Sequence, residues 1–99
     1  MTLPEIIGLN VKWYRYQNRL TQAQYANKIK FKVAYLSIVE SGKVNLTCKN
    51  ISLLAKSFHI PPELLLNEET AKLAKNLPNR LKMHERQKIT QSIKLSVDN

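Results

Sequence analysis

Glycine stands at only two of 99 positions, Gly8 and Gly42, and no stretch alternates apolar and polar residues. Such a chain has little material for hairpins, and its apolar residues fall at helical spacing instead. The expected fold class is all-α. Ile6, Leu9, Trp13 and Tyr16 mark a first helix over about residues 4–18, with Pro4 in the first turn, where a missing N–H costs nothing. Thr21 is placed to cap a second helix, and Gln24, three residues on, completes a capping-box pattern. Tyr25, Ala26 and Ile29 form its inward face. The connection Lys30-Phe31-Lys32 leaves room only for a tight turn before a third helix over about 33–39, with Leu36 and Val39 inward. Gly42 follows where a left-handed residue commonly ends a helix. A polar loop, 43–46, leads to Thr47 as the cap of a fourth helix through Phe58, in which Ile51, Leu54, Ala55 and Phe58 recur at three- and four-residue spacing. Pro61-Pro62 breaks the chain again and opens a short fifth helix over 63–66.

After Asn67 the composition turns polar, with Leu73, Leu77, Leu81, Ile89 and Ile93 as a sparse apolar set and Pro78 as an interruption. The expected division is a five-helix module over 1–67 and a helical extension over 68–99. Within the extension, 68–76 and 80–95 read as helical and the last residues as frayed. The extension is a candidate element for dimerisation, or for binding a protein or peptide effector. It is too short for a ligand-binding or catalytic domain.

A 43% hydrophobic share is ordinary for a packed domain. The single cysteine, Cys48, offers neither an intrachain disulfide nor a cysteine metal cluster. No apolar run approaches the roughly 20 residues of a spanning helix, and the N-terminus lacks a basic-then-apolar pattern, so a cytoplasmic protein without a membrane partner is expected. Sixteen Lys and Arg against seven Asp and Glu give a net charge of +9. Between Lys12 and Lys49 stand eight basic residues and one acid, Glu40. That balance favours a polyanionic partner, although solvated lysines also occur on proteins that bind nothing.

The most informative stretch runs from Thr21-Gln22-Ala23-Gln24-Tyr25-Ala26 to Leu36-Ser37-Ile38-Val39-Glu40-Ser41-Gly42. It resembles the helix-turn-helix of the lambda-repressor-like family, the Cro and phage-repressor type. The family's Thr-Gln start, mid-helix Ala and aliphatic-Ser-x-aliphatic-Glu-x-Gly ending stand in register here. Leu53 to Phe58 and Pro61 to Leu66 look like its fourth and fifth helices, so the resemblance covers about residues 5–66. It implies a five-helix DNA-binding domain and a transcriptional regulator, expected to be a repressor. A homodimer on two operator half-sites about 34 Å apart is the usual arrangement.

By the family's register, Lys32, Val33, Ala34, Ser37 and Ile38 face the major groove and Gln22 contacts a phosphate. Lys43, Asn45 and Lys49, around the loop after the third helix, suit further phosphate contacts, with a solvated surface as the plain alternative. Arg15 and Glu40 match a family pair linking the first and third helices. Two departures stand out. Val33, Ala34 and Ile38 cannot make the bidentate hydrogen bonds that identify guanine or adenine and can only pack on thymine methyls. The expected operator is therefore thymine-sensitive, with DNA shape supplementing direct readout. Lys30 stands where the family often has glycine, so either it adopts a left-handed conformation costing about 1 kcal/mol or the turn relaxes.

No catalytic constellation, metal site or cofactor site emerges. His59 and His84 lie far apart without a carboxylate or cysteine shell, and Ser37 has no partnering histidine. Trp13, Tyr14 and Tyr16 suit core or rim, and lone Cys48 an inert packing role. Two further readings remain open. One is an antitoxin of the same fold whose segment 80–99 folds on a toxin. The other is a protein-interaction adapter using Val33, Ala34 and Ile38 as its contact face.

Overall fold

The computed structural model describes residues 1–78. They form α1 (Leu3–Gln17), α2 (Gln22–Ile29), α3 (Val33–Glu40), α4 (Cys48–Ser57), a 3-10 helix (Pro62–Leu66) and α5 (Glu68–Ala74). No strand occurs among the described residues. The short fifth helix expected over 63–66 is of the tighter 3-10 form, over Pro62–Leu66. Expectations for 80–99, including His84, lie outside the described residues.

Short polar side chains start four of these helices by accepting from N–H groups that have no partner inside the helix. Thr2 and Glu5 form a reciprocal capping box on α1, and Thr21 and Gln24 repeat it on α2. Thr47 caps α4 through Asn50 N–H at 3.1 Å, and Asn67 caps α5 through Glu69 and Thr70. The Glu5 carboxyl is held below its ordinary pKa, chiefly by the Thr2 backbone N–H and secondarily by the Thr2 hydroxyl.

The first four helices also end alike. Arg19, Lys30, Gly42 and His59 each take a positive φ between 57° and 74°. In each case the next N–H reaches the carbonyl five residues back: Leu20 to Arg15, Phe31 to Ala26, Lys43 to Ile38, Ile60 to Ala55. This is the Schellman closure, which satisfies carbonyls left open at a helix end. Leu20, Phe31 and Ile60, the residues after three of the turns, fold back onto the core. Their burial offsets the left-handed cost at Arg19, Lys30 and His59, about 1 kcal/mol each.

The core joins Ile7 and Val11 of α1 to Tyr25, Ala26, Leu36, Val39, Leu54, Ala55, Phe58 and Leu65. Tyr25 stacks on Phe58 at 4.7 Å between ring centroids, and Tyr14 lies 5.7 Å from the same ring. Ser57 donates to the Leu54 carbonyl, which leaves its oxygen to accept from the Tyr25 hydroxyl at 2.5 Å.

α1 is buried on two sides, more than its apolar stripe implies. Towards α3, Gly8 lies so close that a Cβ there would collide with the Val39 carbonyl oxygen and stand 3.1 Å from that of Glu40. Towards the other side, polar α1 residues grip the chain beyond α4. Asn10 Nδ2 donates to the carbonyls of Leu65 and Asn67, both at 2.8 Å, and Asn10 Oδ1 accepts from Thr70. Lys12 Nζ donates to the Leu77 carbonyl at 2.7 Å, and the Tyr16 hydroxyl donates to that of Pro78. Burial holds the Lys12 pKa below its ordinary value; nearby Arg15 acts in the same direction and Glu40 against it. The composition change at Asn67 therefore lies inside the packed body, and residues 68–78 belong with 1–67.

Candidate nucleic-acid interface

α3 is amphipathic in an unusual sense, because its outer face is also apolar. Leu36, Val39 and Glu40 are buried, while Val33 and Ile38 are 44% and 46% exposed. Ala34 and Ser37 share the outer side and are exposed, and Lys32, exposed at the N-cap position, makes no side-chain cap. Residues 33, 34, 37 and 38 fall on one helical face by their spacing. All five residues expected to face a groove thus gather on one surface.

Three features anchor that surface from behind. Arg15, fully buried on α1, grips Glu40 with Nε to Oε2 at 2.7 Å and Nη2 to Oε1 at 3.0 Å. Its remaining Nη1 donates to the Leu20 carbonyl at 2.8 Å, and its guanidinium carbon lies 4.9 Å from the Tyr16 ring centroid. A planar fork in which each of the three nitrogens donates suits arginine and not lysine. Second, Phe31 packs edge-on against Tyr35 at 5.4 Å, tying the turn to α3. Third, the α2–α3 connection closes through left-handed Lys30, with φ 62° and ψ 36°. Of the two conformations expected at Lys30, the turn takes the left-handed one.

Gln22 is placed differently from a free phosphate contact. Half-buried at the start of α2, it donates from Nε2 to Glu40 Oε1 at 3.1 Å. Glu40 therefore receives groups from both α1 and α2. Lys43 and Asn45 are exposed on the loop, and Lys49 is exposed in the first turn of α4. Lys28 and Lys30 are two further exposed cations beside the turn that residue-by-residue matching did not select. Cys48 is exposed, not packed, because as the first residue of α4 it lies outside the buried stripe.

The charge pattern becomes clear only once burial is known. From residue 6 to residue 62 the sole acid is Glu40, and it is buried against Arg15. The α2–α3–loop–α4 region thus exposes Lys28, Lys30, Lys32, Lys43 and Lys49 with no exposed carboxylate among them. Glu5 of α1, packed against Gly42, is the nearby carboxylate, and the excess of cations around it suits an extended anion. Among the described residues no group of His, Cys, Asp and Glu could hold a metal ion, and no helix is long and apolar enough to cross a membrane. Comparison with protein-family models, with curated proteins and with solved structures found no match to this chain.

Proposed function

We propose that this chain is a sequence-specific double-stranded-DNA-binding transcriptional regulator of the lambda-repressor-like helix-turn-helix type, acting as a repressor. The observation that carries this reading is the pairing of a rigidly backed, outward-facing α3 with neighbouring elements, α2, the loop after α3 and α4, that expose cations and no carboxylate of their own. In the proposed complex α3 lies in the major groove. Val33, Ala34 and Ile38 pack on thymine methyls, and Lys32 and Ser37 supply polar contacts. Lys43, Asn45 and Lys49 hold phosphates, which positions the protein without specifying sequence. Gln22 sets α2 against α3 through one amide hydrogen to Glu40 and keeps its second for a phosphate. One module covers few base pairs, so the working form is a homodimer on two half-sites.

The test is selection of random duplex DNA by the purified protein, followed by affinity measurements across salt concentrations. A two-fold symmetric, thymine-containing site and a steep loss of affinity with salt are expected. Weak binding without sequence preference would overturn the reading. It would turn attention to the exposed Val33 and Ile38 face as a protein contact, the adapter reading.

A further inference from the structure

A second surface feature lies on α4, apart from the outer face of α3. The Schellman turn at His59 and the extended Pro61 carry the chain away from α4 before it returns as the 3-10 helix. Between them opens a groove of about 520 Å³, lined chiefly by Lys49, Ser52, Leu53, Lys56, Ile60 and Pro62. Its apolar floor includes Leu53, 36% exposed, a large side chain left uncovered on a small domain. Its charged walls are both cationic, and among the described residues no carboxylate lines it.

The spacing of the charges narrows the occupant. Lys49 and Lys56 are seven residues apart, so they share a face of α4 and stand roughly 10.5 Å apart along its axis. Two anions at a comparable spacing can engage each lysine separately. On an extended peptide, side chains two and four positions on point to the same side, at about 7 and 13 Å. The pattern acid-x-apolar-x-acid thus sets one bulky apolar group between two anions, at a span that flexible lysine stems can meet.

We propose that this groove docks a short acidic segment of a partner protein. Its apolar side chain rests on Leu53, Ile60 and Pro62, with one carboxylate on Lys49 and the other on Lys56. Lys49 is also assigned to a DNA phosphate, so an occupied groove withdraws a cation from the DNA contact and acts as an input to it. That coupling rests on the DNA-binding reading; the docking does not.

The probe is a fluorescein-labelled nine-residue peptide with two glutamates four positions apart and a leucine midway. Its binding to the full chain is followed by anisotropy. Saturable binding that weakens with salt is expected, with about a fivefold loss in Lys56→Glu and a comparable loss in Leu53→Ser. Circular dichroism checks that both variants fold. Absence of saturation at about 1 mM peptide, unchanged binding in both variants, or equal binding of a peptide with lysines for glutamates would each overturn the docking. Saturable binding of octanoate with none of the peptide would overturn the choice of occupant. Coupling is read separately: peptide near its parent Kd should weaken binding to the selected DNA in the parent chain, and clearly less at the same concentration in Lys56→Glu. Peptide binding by a chain that binds no DNA would sink the DNA reading and leave the docking standing. Simultaneous, independent binding of both would overturn the coupling alone.

Discussion

Replacing Gly8 with alanine tests whether α1 and α3 are in direct backbone contact. The added Cβ falls about 1 Å inside the ordinary C···O separation of roughly 3.3 Å from the Val39 carbonyl, with the Glu40 carbonyl 3.1 Å away. Both neighbours are backbone, so no side chain can swing aside and a helix must shift. Overpacking a core typically costs about 1–3 kcal/mol, and a rigid neighbour puts this site near the upper end. Alanine recovers about 1 kcal/mol of helix propensity. The expected net loss is about 2 kcal/mol, which for a domain of this size lowers the melting midpoint by roughly 8–16 °C. Thermal unfolding followed by circular dichroism measures it. Ala23→Gly, on the exposed side of α2, is the control, with a loss of about 1 kcal/mol from propensity alone. A Gly8→Ala protein as stable as the parent would refute the close approach and the reasoning built on it.

Three further outcomes are expected. His59→Gly, which removes a left-handed strain outside the α3 face, should raise stability by about 0.5–1 kcal/mol, read as a higher urea midpoint at unchanged slope; a decrease would mean that His59 is not strained. Burial pushes the Tyr25 phenol well above its ordinary range, so below about pH 10 neither state ionises, whereas above it the unfolded chain ionises first and stability falls. Tyr25→Phe should lose about 1 kcal/mol at pH 7 with the Ser57 hydrogen bond, and show a shallower decline between pH 10 and 11 than the parent. Glu40→Gln leaves the buried Arg15 cation without its anion and should cost about 3–5 kcal/mol. The double variant Arg15→Met, Glu40→Gln should recover part of that loss, and strictly additive losses would argue against a direct pair.

How much of this was legible in the sequence depends on the kind of signal. The caps at Thr21 and Thr47 and the left-handed Gly42 were open to reading because each uses a residue type suited to its backbone position. Arg19 and His59 take the same left-handed geometry without a glycine, and there the usable signal was the apolar residue after the turn, Leu20 or Ile60. Asn10 and Lys12 gave no sign at all. Apart from the Thr70 hydroxyl on Asn10, the partners named above are backbone carbonyls 55–65 residues away, and carbonyls carry no sequence identity. The grip of α1 on the chain flanking α5 was invisible for that reason. Periodicity alone would also turn Val33 and Ile38 inward, since α3 is mostly apolar. Their outward placement was expected only from the family's register, and in the structure it follows from Leu36, Val39 and Glu40 occupying the packed side. Pairing Arg15 with Glu40 likewise came from the register, whereas the Gln22 contact had no sequence signal. The α4 groove depends on the path of the chain between Phe58 and Pro62, which no spacing reveals.

The placement of the two glycines and the buried ion pair ties these observations together. Gly8 lets α1 touch the carbonyls of Val39 and Glu40. Gly42, with φ 74°, lies against Glu5, whose Cα would stand 2.8 Å from an added Cβ. Arg15 joins Glu40 in the buried ion pair. Both glycines and the buried pair thus act at one junction, where the end of α3 meets α1. Such a concentration is hard to explain by stability alone, because a buried pair is often matched by apolar residues of similar volume and glycine weakens a helix. It is explained if the orientation of α3 matters more than the strength of its attachment. A groove reader whose contacts are mainly methyl packing has few directional hydrogen bonds to correct a misaligned helix, so its angle must be set from behind. On that logic Gly8→Ala and Glu40→Gln should reduce operator discrimination more than affinity for random duplex, measured at a temperature where both variants remain folded. Equal losses on the two DNAs would show that the junction serves folding and not recognition.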